Sequence, residues 1–475
     1  MMQQSSESER PSLVITGSDP SPTVIKGLVA LLPDSSFDLS HVSRPDSSAG
    51  AATWHIDLSR QQPAADSNSI TILLNRTSVE EGFRTILPSL ANSPPLLTVD
   101  LYVGESHRIG ASIALVADSF KQSIELTQKF VAETLTNMLL EGFATASGIS
   151  GLGPKDRSPV TTGLIANIRG LVVSSSERVK RFLFWKLFQE RWDIAVADLN
   201  DQLDPLSLDK QHWRVLNLPG EQWQDYYADP FFYRQQAPSS TPSTEWLLYE
   251  HYDHKNQKGE IRAEKLGENG AKANHSLLSL PGHLSYPYVF QLENQTYLLP
   301  EQEATGRPPQ SYPLSNNRHE ALISGKPVTM PGLPPLFDST IFKYGDYYWL
   351  LGTLKGFSNS THLGLWFAIS PFDTWHPHRY MPVAINSQYG RPAGTPFIHQ
   401  GRLTIPLQNS SRGYGERMEL FEVIQLSPKE IDWRHVGTIS KENIKIPGAQ
   451  VRGVHTLSVS DCSIAIDFQT LTLKK

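Results

Sequence analysis

A single cysteine, Cys462, stands among 475 residues. An intramolecular disulfide is excluded, so an oxidising compartment offers this fold nothing. No apolar run reaches the ~18 residues that span a bilayer, and Met1–Ser12 is polar, without the apolar centre of a signal peptide. Basic residues are outnumbered: 42 Lys and Arg against 48 Asp and Glu leave a formal charge of −6, which provides no basic footprint for nucleic acid. Gly-x-Ser-x-Gly, phosphate-loop, Gly-x-Gly-x-x-Gly and Cys-x-x-Cys patterns are missing. His251, His254, His283 and His455 do not fall at a recognised metal-ligand spacing, so neither a metal nor a cofactor is expected. The expectation is a soluble, cytoplasmic protein with no nucleic-acid partner and no transmembrane segment.

What the chain does contain is a repeat. Tyr227-Ala228-Asp229-Pro230-Phe231-Phe232-Tyr233, closed by Trp246–Glu250, is its first copy. Further copies are 286–290 with 297–301, 338–342 with 348–352, 393–397 with 403–407, and, most weakly, 455–459 with 463–467. Aromatic and β-branched strands flank turns carrying Gly, Asn and Asp, which is hairpin chemistry. A period of roughly 50 to 60 residues holds more than one hairpin and predicts four-stranded blades. With 39% hydrophobic and 19% charged residues a packed globular chain of two or three domains is expected. The predicted fold class is mainly β: a five-bladed β-propeller over 190–475, preceded by a small α/β domain.

Upstream, residues 1–12 read as a polar leader and 13–145 as the α/β domain. Leu13–Gly17, Trp54–Leu58, Ile70–Leu74 and Leu96–Val103 are strand-like, with helices near Ser21–Leu32 and over Ala117–Glu141, the latter expected to be the longest helix. Residues 146–189 read as a linker and a basic amphipathic helix, Ser174–Asp193, mixing Arg178, Lys180 and Arg181 with Phe182, Phe184 and Trp185. Docking against a neighbouring domain is the plainer reading of that helix, and membrane-surface contact through 178–188 the alternative. Trp192–Ala197 alternates like a strand and is assigned to close the ring on its last blade.

The first strand of every propeller blade lines the central channel, so residues opening those strands crowd one mouth, and the next strand returns its last residue there. Asp229, Tyr286, Asp338 and His455 are expected at that mouth, with Arg391 or Ala393 in the fourth copy. Glu250, Glu301 and Asp467 arrive on returning strands. Converging carboxylates with an arginine and a histidine suggest a binding site, and their crowding separates pKa values as acid–base chemistry requires. Each feature has a plainer explanation. An Asp at a strand entrance often only accepts backbone N–H groups. Glu250 and Glu301 could pair with Arg262, Arg391 or Lys355, and Tyr226, Tyr227, Tyr252, Tyr286 and Trp366 could be packing rather than sugar platforms.

Several of these runs carry a resemblance. Tyr227–Phe231, Glu250-His251-Tyr252-Asp253 with Lys258–Ile261, His283–Phe290, Pro300-Glu301, Asp338–Phe342, Gly390–Gly394, Arg412–Gly415 and His455-Thr456 resemble the propeller of the glucosamine inositolphosphorylceramide transferase N-terminal family over about 190–470. That propeller is similar to the five-bladed fold of glycoside hydrolase family 43. The resemblance implies a sugar or glycoconjugate ligand, with Asp229 as general base and Asp338 as the second Asp that tunes pKa. Tyr286, Arg391, His455, Tyr252 and His283 are read as the substrate-binding residues of that mouth. The general acid should be a Glu entering the fourth blade, but Ala384–Ala393 has no carboxylate and offers Arg391. Either Glu301 or Glu250 takes the acid role, or the site binds glycan without cleaving it.

Plant members carry a glycosyltransferase domain after the propeller, which this sequence does not contain, so that activity is not implied. Residues 13–145 are similar to a shortened formyltransferase domain, yet no His lies between Asn75 and Thr98, where the catalytic loop should be. Formyl transfer is not expected. The reading is a carbohydrate-active propeller that binds, and cleaves or transfers, a glycosyl group. The rival readings are a non-catalytic glycan-binding or scaffold module, and recruitment to other small-molecule chemistry.

Overall fold

The computed structural model describes residues 12–16, 30–32, 38–41, 53–150, 160, 162–199, 207–218, 225–235, 244–266, 275–315, 322–356 and 358–474. The expected leader, most of the helix near Ser21–Leu32 and residues 151–159 of the expected linker lie outside them. The chain forms two compact units: 1–145 with 154–181, and 146–153 with 182–475.

In the first unit Ser12–Thr16 pairs in parallel with Asp38–His41 and Thr53–Asp57, and the latter with Ser69–Leu74. Ser69–Leu74 then pairs antiparallel with Leu96–Val103, which pairs with Ser106–Ala114. Every residue of Ser69–Leu74 is buried, the polar Ser69 and Thr71 included, so both faces of this strand are covered. Helix Phe120–Glu141 starts three residues later than expected because the Ser119 hydroxyl accepts the Gln122 N–H, and it ends at Gly142 with φ 68°. It is not the longest described helix: Leu164–Leu187 has 24 residues to its 22. That helix starts ten residues before the expected Ser174 and stops at Leu187, where strand Phe188–Asp198 begins.

The second unit is a propeller-like arrangement of antiparallel sheets. Four of its sheets stand alone, built on Asp225–Gln235, on Ser285–Leu292, on Arg402–Asn409, and on Ser463–Leu473 with Phe188–Asp198. Five were expected. The third copy is a meander of Leu336–Tyr344, Tyr347–Leu354 and His362–Ala368 rather than a free-standing four-stranded sheet. Its outer edge is split: His376–Pro377 pairs at Trp366 and Phe367, whereas Ala384–Asn386 pairs at His362 and Leu363. Phe188–Asp198 pairs with Ser463–Leu473 along its whole length, from Phe188 opposite Leu473 to Asp198 opposite Ser463. Neighbouring sheets meet through aromatic packing, in which Phe231, Tyr288, Ile341 and Trp366 share one core. Trp366, only 3% exposed, is therefore packing and not a sugar platform.

Candidate active site

Three sheets break their inner hairpin in the same way. Pairing jumps from Ala228–Glu250 to Phe231–Leu248, from Ser285–Glu301 to Tyr288–Leu299, and from Phe337–Thr353 to Thr340–Leu351. Each jump is a β-bulge, with two residues facing one. The first bulged residue is left-handed each time: Asp229 at φ 52°, Tyr286 at 45° and Asp338 at 49°. For a non-glycine residue that conformation costs about 1–2 kcal/mol, so its repetition marks a backbone held by its surroundings. In the fourth copy the left-handed residue is Gly394, at φ 120°, rather than Arg391 or Ala393.

The bulges free backbone N–H groups from their ladders, and neighbouring carboxylates collect them. Asp229 N donates to Asp467 Oδ2 at 2.9 Å, and Tyr286 N to Asp229 Oδ2 at 3.2 Å. Asp467 Oδ1 accepts the N–H groups of His455 and Thr456, at 3.1 and 2.9 Å. Asp229 Oδ1 accepts the Thr456 hydroxyl at 2.6 Å and lies 3.4 Å from His455 Nε2. His455 Nδ1 stands 3.0 Å from Asp467 Oδ2. Asp229, His455 and Asp467 thus bring ligand atoms within 4.8 Å of one another, a trio that could hold a metal ion. The histidine spacing concealed it because its members come from residues 229, 455 and 467.

A second cluster surrounds Arg391. Its guanidinium grips Asp338 with two hydrogen bonds, Nε to Oδ2 at 2.5 Å and Nη2 to Oδ1 at 2.9 Å, and reaches Glu301 Oε2 at 3.3 Å. Gln408 Nε2 adds a bond to Asp338 Oδ2 at 2.9 Å. The Phe337 and Tyr414 rings each lie 5.5 Å from the guanidinium carbon. Such a fork is the charge-assisted geometry for which arginine is suited and lysine is not.

Glu250 lacks a comparable partner. Its Oε1 lies 3.3 Å from His283 Nε2 and has no hydrogen-bond partner among the described residues. His283 Nδ1 accepts the Gly259 N–H at 3.1 Å, so the neutral ring carries its proton on Nε2 and points it towards Glu250. Burial, then the Arg391 charge, holds His283 neutral by lowering its pKa.

Five buried carboxylates (Asp229, Glu250, Glu301, Asp338 and Asp467) face one permanent cation. The imbalance keeps protons on the site. Burial first, then the charges of Asp229, Glu301 and Asp338, push Glu250 well above the usual carboxylate range. Burial and Asp338 do the same to Glu301, against the pull of Arg391. Asp229 is pushed up to about 6 by burial, with the His455 charge opposing. Burial disfavours the charged His455 ring, but Asp467 and Asp229 outweigh it and raise its pKa.

The structure brings Asp229, Glu250, Glu301, Asp338, Arg391 and His455 into these clusters, and the expected roles need correction in places. Tyr286 is fully buried; its hydroxyl meets Thr340 Oγ1 at 2.8 Å and accepts the Gly394 N–H at 2.7 Å. It ties three sheets together and offers no hydroxyl to a substrate. Tyr252 is part-exposed and stacked on Tyr226, ring centres 4.7 Å apart, with His283 edge-on at 5.6 Å. Of the alternative pairings, Arg391 does reach Glu301, whereas Lys355 bonds Glu303 and Arg262 bonds Glu260. Sequence reasoning missed Thr456, Gln408 and Tyr414. Gln408 was accessible in principle, since it sits directly across the ladder from Arg391.

Fold and cluster together define a class: a propeller-like unit with buried, proton-holding carboxylates at the bulged ends of its inner strands. Residues 220–450 match the family described as glucosamine inositolphosphorylceramide transferase 1, N-terminal. Over 217 residues the chain is 29% identical to glucosamine inositolphosphorylceramide transferase 1 of Oryza sativa subsp. japonica, covering 43% of this chain and 27% of that protein. The Arabidopsis thaliana protein of the same name is also 29% identical, covering 43% and 26%. The chain thus spans about a quarter of the length of these relatives. Among solved structures, the family 117 glycoside hydrolase Zg3597 of Zobellia galactanivorans aligns at 12% identity and TM-score 0.33, over 52% of this chain and 85% of that one. A GH43_1 enzyme of Xanthomonas citri aligns at 10% identity and TM-score 0.35, over 52% and 88%.

Proposed function

We propose that the carboxylate cluster of the second unit binds a glycosyl group of a sugar or glycoconjugate and acts on it at the anomeric carbon. The observation that carries this reading is Glu250, a buried carboxyl 3.3 Å from His283 Nε2 in the same cluster as Asp229, with burial and the neighbouring carboxylates raising its pKa. Glycosyl chemistry needs such a pair, one protonated carboxyl that gives its proton to the glycosidic oxygen as the aglycone leaves and one ionised carboxylate that acts as base or nucleophile. Glu250 is the better acid of the two candidates, because Glu301 is drawn into the Arg391 fork. Asp338, held by Arg391 and Gln408, is fixed in place. The match to a glycosyl-processing family supports the substrate class.

The test is hydrolysis or transfer of a panel of activated aryl glycosides by wild type, Asp229→Asn and Glu250→Gln. Turnover should fall by about 100-fold or more in each variant, with good leaving groups restoring the Glu250 variant in particular. Wild-type turnover unaffected by either substitution would refute the reading.

A binding-only site is favoured by one specific observation: both oxygens of Asp229 already accept protein hydrogen bonds. That reading predicts glycan binding without turnover. The proposal includes a fifth blade, formed by the Leu336–Ala368 meander with its split edge; an experimental structure showing a four-bladed ring would remove it.

A further inference from the structure

Helix Leu164–Leu187 wears its apolar side outward. Ile165, Ile168, Val172, Val179, Phe182 and Leu183 fall within about 100° of helical arc, and all are between 50% and 84% exposed. Gly170 and Ser174, on the opposite side, are buried. Gly170 is pressed so close that an added Cβ would lie 2.0 Å from Leu87 O. Packing therefore holds the helix by its small residues and presents the apolar stripe, the reverse of an ordinary surface helix.

Charge indicates what covers it. The helix carries Arg169, Arg178, Lys180, Arg181 and Lys186 against one carboxylate, Glu177, in a chain whose formal charge is −6. Arg169 lies along one edge of the stripe beside Lys180, which pairs with Glu177 at 2.7 Å. Arg178 and Arg181 on the other side bond Asp118 at 3.0 and 3.2 Å, so the charge available to a partner rests on Arg169 and Lys186. Lys186 rises within it, its Nζ 5.6 Å from the Phe182 ring centre. Long basic side chains bordering an apolar stripe can reach up to headgroups while the stripe sinks into acyl chains. A second copy of this chain is a poorer fit, because a two-fold contact would bring like-charged rows together. At 24 residues the helix is about 36 Å long. No described helix is long and apolar enough to cross a membrane, so this one would lie along the surface.

We propose that helix Leu164–Leu187 is a membrane-surface anchor that inserts its apolar stripe into the interface of an anionic bilayer. The inference is independent of the sugar site and is tested without any turnover. The full chain is floated with phosphatidylcholine vesicles, with and without about 30% phosphatidylserine. Wild type should float with the anionic vesicles, less so as salt rises, and Ile168→Glu/Phe182→Glu should lower the bound fraction by about tenfold or more. Arg169→Gln/Lys186→Gln should weaken binding several-fold and flatten its salt dependence. Unchanged circular dichroism and melting would show that the variants fold. The proposal is overturned if folded wild type stays out of anionic vesicles, if the Glu variant binds as well as wild type, or if neutral vesicles bind equally. A dimer that the Glu variant dissociates, without vesicle binding, would assign the stripe to a second copy instead.

Discussion

At the scale of single residues, the site is governed by a shortage of positive charge. Glu250 has a pKa raised above its unfolded value, so its contribution to stability is fully present at low pH and is lost as pH rises through the folded pKa. Gln mimics the protonated form. Glu250→Gln should therefore be nearly neutral at pH 5 and stabilising by about 1 kcal/mol or more at pH 8, read by chemical denaturation at both values. Asp229, with its pKa near 6, sets the other limb of activity: turnover should rise as pH passes through about 6 and fall where Glu250 ionises. Tyr286→Phe removes a hydroxyl shared by Thr340 and Gly394 and should cost about 1–3 kcal/mol, without shifting the pH profile. Asp229, Glu250, Glu301 and Asp338 could be found in the sequence because each recurs at a fixed place in a repeat. Pairing of Glu301 with Arg391 was among the readings the sequence offered, but the fork of Arg391 on Asp338 was not, because it depends on which rotamer crosses between sheets. Tyr286 occupies an anchor position, and nothing in the repeat distinguishes a ring that binds from one that ties sheets together.

At the scale of elements, the bulge does the positioning. It turns Asp229, Tyr286 and Asp338 into the left-handed region, and the freed N–H groups of Asp229 and Tyr286 are met by carboxylates of neighbouring sheets. Gly394 continues the series where no side chain fits: a Cβ there would lie 1.8 Å from Leu457 O. Gly394→Ala should destabilise by about 2–4 kcal/mol, several times the effect of Gly413→Ala, whose Cβ would meet nothing within 4 Å and whose φ is not left-handed. Equilibrium unfolding of the two variants makes the comparison. Hairpin copies announced the strands through their aromatic and β-branched composition. The bulges did not, because no residue is common to Asp229-Pro230, Tyr286-Pro287 and Asp338-Ser339, and only position unites all three. The Phe188–Asp198 strand was read four residues short, at Trp192, because Phe188–Arg191 does not alternate cleanly and its face is set by Ser463–Leu473.

At the scale of the whole molecule, a repeat of one hairpin per 50-odd residues specifies the propeller-like unit, and the sheets' mutual packing specifies where its carboxylates meet. Blade count was the least legible feature, since outer strands such as Arg214–Val215 and Val328–Thr329 are two residues long and leave little trace in the sequence. The first unit, without a His between Asn75 and Thr98, should give no heat on titration with a tetrahydrofolate derivative; micromolar binding there would show that a formyl-donor site survives. The central claim is that the clustered carboxylates recognise a glycosyl group, and its most direct measurement is calorimetric binding of a glycan and glycolipid-headgroup panel to wild type, Asp229→Asn and Glu250→Gln. The account predicts at least one ligand with a dissociation constant of about 1 mM or tighter, weakened about tenfold or more in both variants while their melting temperatures stay within a few degrees of wild type. A glycan that binds all three proteins equally, or a folded wild type that binds none of the panel, would contradict it.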